Sequence, residues 1–69
     1  MKQRFKVEAR RSEGWWALSL PGYQGAFSQG RDEAEVQFMA KDLIHVMLEI
    51  PLDDIELDIT YLPEEAIAQ

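Results

Sequence analysis

Sixty-nine residues, no cysteine and a net charge of −6 describe one small domain that packing must hold together. The missing cysteines exclude a disulfide scaffold and a thiolate metal site, and a chain this short buries only roughly 60% of the surface its unfolded form exposes. No apolar run approaches the roughly 20 residues of a membrane span and no signal-peptide pattern follows Met1, so a cytoplasmic protein that does not enter membranes is expected.

Taken in chain order, Arg4–Arg11 alternates. Phe5, Val7 and Ala9 share one face, while Lys6, Glu8 and Arg10 share the other, as in a half-buried antiparallel strand. Ser12-Glu13-Gly14 turns the chain and Trp15–Leu20 returns as a second strand. Trp16, Leu18 and Leu20 take its core face, which leaves Trp15 on the open face of the sheet. Pro21-Gly22 stops that strand, because proline lacks a ladder donor and glycine accepts the positive φ of a tight turn. A short third strand, Ala26–Gln29, leads to Gly30 and the charged Arg31-Asp32-Glu33.

A helix is predicted from about Arg31 to Glu49. Asp32 serves as N-cap with Glu35 at the capping-box position, and acids in the first turn suit the helix dipole. Val36, Ala40, Leu43 and Met47, with Ile44 beside them, form the stripe that faces the sheet. Phe38, Met39, Val46 and Leu48 broaden the apolar surface beyond it. Pro51 ends the helix, Leu52-Asp53-Asp54 turns, and Ile55, Leu57, Ile59 and Tyr61 alternate with Glu56, Asp58 and Thr60 as a fourth strand.

The expected fold is therefore α+β, in the order βββαβ, with a small and mainly antiparallel sheet under one covering helix. A right-handed crossover lays the fourth strand parallel to the first, at the sheet's centre or edge. Glu56 and Asp58 then stand beside Arg4 and Lys6. Residues 1–62 make the domain, and 63–69 read as a C-terminal tail, either the start of a helix at Pro63 or the remnant of a linker.

Charge is unevenly spread. Lys2, Arg4, Lys6, Arg10, Arg11 and Arg31 outweigh Glu8 and Glu13 before Asp32, and eleven carboxylates face Lys41 from there on. An acidic majority repels phosphate and favours a basic partner, although pairing between the first and fourth strands accounts for part of the asymmetry.

Catalytic constellations are not evident. His45 has Asp42 and Glu49 within helical reach, but metal sites converge three or four ligands. A Ser-His-Asp set would have to rest on that lone histidine. Asp53, Asp54, Glu56 and Asp58 lie along one strand and its approach, whereas two-metal catalysis draws carboxylates from several elements. No glycine-rich phosphate loop is present. The expectation is a protein that is not an enzyme, with no catalytic residue, cofactor or metal. Trp15, Trp16 and Tyr23 with Arg10, Arg11 and Arg31 suit a stacking platform for single-stranded nucleic acid. In an acidic chain, a protein interface is the more usual use of hairpin aromatics.

The order and spacing of these motifs also carry a resemblance. A basic strand, Gly14-Trp15-Trp16, Leu20-Pro21-Gly22 and Ser28-Gln29-Gly30 precede the amphipathic helix. Glu33-Ala34-Glu35, Met39-Ala40, Ile50-Pro51 and the acidic Asp54–Thr60 follow. From about Phe5 to Pro63 this resembles the HicB-like antitoxins of bacterial toxin–antitoxin systems. The resemblance implies a truncated RNase H-like sheet with one covering helix and no catalytic residues. It also implies a partner, a small basic HicA-type mRNA-cleaving toxin whose RNA-binding and catalytic surface the antitoxin occludes. Such antitoxins usually bind DNA through a C-terminal module for which the residues after Pro63 are too few, so no specific DNA binding by this chain alone is expected.

Exposure, not motif, assigns the candidate contacts. Partner binding is expected at Trp15, Tyr23, Asp53, Asp54, Glu56 and Asp58, and a homodimer interface at Trp15, Phe38, Met39 and Val46. The alternatives are a stand-alone nucleic-acid-binding regulator and a small dimeric adaptor with an unrelated partner.

Overall fold

Alternation and turn chemistry build a three-stranded meander first. β1 (Gln3–Ser12) and β2 (Trp15–Ser19) are joined through Glu13 and Gly14, both at positive φ (51° and 86°), with Ser12 opposite Trp15. This is the type I′ hairpin turn, whose twist matches that of the strands, and Gly14 adopts it without steric cost. The Leu-Pro-Gly loop closes on itself through three backbone bonds. Tyr23 N donates to Leu20 O (3.0 Å), Ala26 N to Tyr23 O (3.3 Å) and Leu20 N to Ala26 O (3.3 Å). Both polar groups of Ala26 are thereby used in the loop, and β3 (Phe27–Gly30) begins one residue later than predicted.

The computed structural model describes residues 1–63; of the expected tail, 63–69, all but Pro63 lies outside the described residues. The helix, α1 (Glu33–Leu48), is capped as its sequence demands. Asp32 has extended backbone and its Oδ1 accepts from Glu35 N at 2.8 Å. The return bond comes from Arg31, whose N donates to Glu35 Oε1 at 2.7 Å, one residue before the usual capping-box donor. At the other end Glu49 turns left-handed (φ 57°), its N–H bonds His45 O at 2.9 Å, and Pro51 follows. A single 3₁₀ turn, Leu52–Asp54, leads into β4 (Ile55–Leu62).

Strand order is β3-β2-β1-β4, with the meander antiparallel and β4 parallel to β1 at the sheet's edge. The sheet is thus mixed, as a helical crossover requires. Arg4 faces Glu56 and Lys6 faces Asp58, in the register expected. The core joins Phe5, Val7, Ala9, Leu18, Leu20 and Ile55 to Val36, Ala40 and Ile44 of α1.

The helix stripe differs from the expected one. Val36, Ala40 and Ile44 are sealed, Leu48 packs behind them, Leu43 is half-buried and Met47 remains 42% exposed. Met39, expected as surplus apolar surface, also packs against the core. Steps of four residues trace a row inclined to the helix axis, and this row, with Leu48 at its end, is the one that is covered. Gly30 lets that row approach. A Cβ there would stand 2.9 Å from Val36 N and 3.0 Å from Val36 Cγ2, so the first turn of α1 rests directly on the end of β3.

Candidate functional site

Among the described residues one face of the sheet has no helix over it, and alternation decides what it carries. Trp15, Ala17 and Ser19 of β2 share that face with Glu8, Arg10 and Ser12 of β1 and with Phe27 and Gln29 of β3. Glu56, Asp58, Thr60 and Leu62 continue it across β4. Phe27 is 72% and Trp15 37% exposed. The Arg31 guanidinium lies over the Trp15 ring at 5.1 Å, a cation–π contact on the surface a stacked base would need. Arg4 Nη2 reaches Glu56 Oε1 at 3.6 Å, between side chains that remain largely in solvent. The acids of β4 are therefore matched by cations of β1, and little of the protein's net charge resides on this face.

Among the described residues, the excess negative charge lies on α1 and its ends. Asp32, Glu33, Glu35, Asp42 and Glu49 stand against Lys41 in that stretch. Glu35, Phe38, Asp42, Val46 and Glu49 recur at helical spacing, every one of them is exposed, and they point away from the row that meets the sheet. Phe38 is 66% and Val46 67% exposed. Asp53 and Asp54 extend this acidic surface past the C-terminal end of α1, where the chain's N-terminal amine reaches Asp54 Oδ1 at 3.5 Å.

At the opposite end of the domain the covered face carries an aromatic cluster. Trp16 and Tyr61 meet edge to face, with ring centroids 5.0 Å apart and planes at 77°, and Arg11 caps Trp16 at 5.2 Å. Burial raises the Tyr61 hydroxyl above its ordinary pKa of 10.0, and the nearby charge of Glu33 adds to the shift. His45 Nδ1 lies 2.8 Å from Ile50 O and so donates to that carbonyl, tying the histidine to the helix's C-terminal turn.

The residues expected to bind a partner are not brought together. Trp15 stands beside Ser12 at one end of β1, and Glu56 beside Arg4 near the other. Eight residues of strand separate them, about 26 Å at the usual rise. Tyr23 sits in the loop at the far end of β2 from Trp15. Asp53, Asp54, Glu56 and Asp58 do share the β4 end. The acidic–apolar stripe through Phe38 and Asp42 was legible as a helical spacing, but only the covered row shows which side of α1 is free. Phe27 gave no comparable signal.

The described residues thus form a small α+β domain, with a four-stranded mixed sheet covered by one helix. No family model, curated protein or solved structure matches it. No helix among the described residues is long and apolar enough to cross a membrane.

Proposed function

We propose that this protein is an antitoxin-like binding domain, akin to the HicB-like family it resembles, acting in the cytoplasm on a small basic HicA-type mRNA-cleaving toxin. It neutralises the toxin by covering the RNA-binding and catalytic surface. One observation carries the reading: among the described residues, Glu35, Asp42 and Glu49 line the outer side of α1, interleaved with exposed Phe38 and Val46. A basic, RNA-binding surface is complementary to that stripe in charge, and the two apolar side chains supply anchors that water leaves on contact. Binding rather than catalysis also suits the β4 acids, which stand opposite Arg4 and Lys6 instead of converging on an ion. The truncated RNase H-like description of the sheet belongs to the same proposal.

Charge and anchor separate kinetically. Asp42→Lys slows association with the toxin and flattens its salt dependence, because steering acts on the encounter. Phe38→Ala speeds dissociation, by an amount worth about 2 kcal/mol if the ring is a hot spot. Surface plasmon resonance with the toxin reads both rates. Unchanged rates for these two variants, together with fast dissociation of Trp15→Ala, would move the interface to the open sheet face. Binding of single-stranded RNA in place of the protein would replace the reading with that of a nucleic-acid regulator.

A further inference from the structure

The two edges of the sheet are built differently. β3 is a four-residue edge, whereas β4 is eight residues long and runs beside β1 from Ile55 to Leu62 without a bulge. Its sequence, Ile-Glu-Leu-Asp-Ile-Thr-Tyr-Leu, contains no lysine, arginine or proline, which are common means of blunting an edge. Its outer side has no strand beside it among the described residues. On the helix side this edge opens into a groove of about 540 Å³, floored by Leu57, Ile59 and Tyr61 and walled by Gln37 and Lys41. A row of half-buried apolar side chains thus borders unpaired backbone.

We propose that β4 is a dimerisation edge: two copies of this chain pair antiparallel through it and form one continuous eight-stranded sheet. This goes beyond the toxin-binding reading and uses a different surface. A two-fold axis normal to the sheet keeps both helices on the same side, so opposed residues must share a face. Few registers remain. An axis at Asp58 sets Asp58 against Asp58, and one at Leu57 sets Glu56 against Asp58 twice; like charges directly opposed destabilise a pair. An axis at Thr60 avoids this but overlaps the strands by only five residues. An axis at Ile59 alone combines a long overlap with no opposed acids. There Ile59 meets Ile59, Leu57 meets the second copy's Tyr61, Asp58 meets Thr60 and Glu56 meets Leu62. The apolar row of each copy then occupies the open side of the other's groove, and the acids keep Arg4 and Lys6 as neighbours. Charge pattern, strand length and groove favour a second copy over a basic protein, since in the groove Glu56 is paired with Arg4 and Lys41 adds a further cation.

The full chain, without any toxin, is the test. It has no native cysteine, and opposed Cα atoms in an antiparallel pair stand about 4.5–5.5 Å apart, within disulfide range. Mild oxidation should cross-link Ile59→Cys readily, and Asp58→Cys and Phe38→Cys poorly. Independently, Thr60→Asp should weaken the dimer seen by sedimentation equilibrium on the order of tenfold, and Thr60→Lys should tighten it, through two symmetric contacts with Asp58. Thr60 also neighbours Glu8, so melting curves accompany both variants. Opposite signs in dimer affinity with unchanged melting curves cannot arise from a change in the fold's stability. The proposal is overturned by a monomer at 100-fold above micromolar concentration, by preferential cross-linking at Asp58 or Phe38, or by dimer affinity indifferent to residue 60.

Discussion

On the covered face of the sheet, Val7, Ala9, Leu18, Val36, Ala40 and Ile44 are almost wholly removed from water, and no polar side chain is buried among the described residues. On the open face the same strands present Arg4, Lys6, Glu8, Arg10, Trp15, Glu56 and Asp58 to solvent. Trp15 and Trp16 show the contrast in adjacent residues. Trp16 sets its ring edge to face with Tyr61 under the helix end, while Trp15 remains 37% exposed and carries the Arg31 guanidinium over its ring. A change on the covered face is felt as lost packing. On the open face it is felt as a shift in screened charge, which is worth little to stability and more to encounter with a partner.

The contrast breaks most visibly at Ile44. Ile44→Ala should cost about 2–5 kcal/mol, by lost transfer energy and an unfilled cavity, and chemical denaturation measures it. In a domain this small such a loss consumes much of the total stability. Gly30→Ala comes next, at about 1–3 kcal/mol, because the added methyl meets the backbone of Val36, which has no free end to swing away.

The two tryptophans test the comparison directly. Trp16→Ala should cost about 2 kcal/mol, since its half-buried ring and the edge contact with Tyr61 are lost together. Trp15→Ala should cost less than Trp16→Ala, because its ring is 37% exposed and loses an exposed cation–π contact with part of its burial. Equal losses would mean that the open face is packed in solution.

Smaller still is Glu56→Lys. Opposing it to Arg4 should lower stability by no more than about 1 kcal/mol, and added salt should erase the difference in melting temperature. The smallest effect is at Tyr61 and shows only in alkali. Its pKa is raised in the folded state, so the folded protein holds the proton more tightly than the unfolded chain. That contribution is complete below the ordinary value of 10.0 and is lost as pH rises through the folded value. Tyr61→Phe should flatten the alkaline end of the stability profile, measured by denaturant midpoint against pH.

How much could be read beforehand follows from the range of the forces involved. Alternation in Arg4–Arg11, the Glu13-Gly14 turn, the Asp32 cap and the Pro51 stop are local, because backbone sterics and near-neighbour hydrogen bonds decide them within a few residues. The parallel place of β4, and with it the facing of Arg4 by Glu56 and Lys6 by Asp58, was also legible, since crossover handedness leaves few topologies open. Only the tertiary structure decided which row of α1 is covered, and so that Met39 packs inward while Phe38 and Val46 face solvent. It alone turned the long β4 edge to the outside. Those outcomes depend on where the helix comes to rest on a twisted sheet, a balance of packing over many contacts that no short stretch of sequence contains.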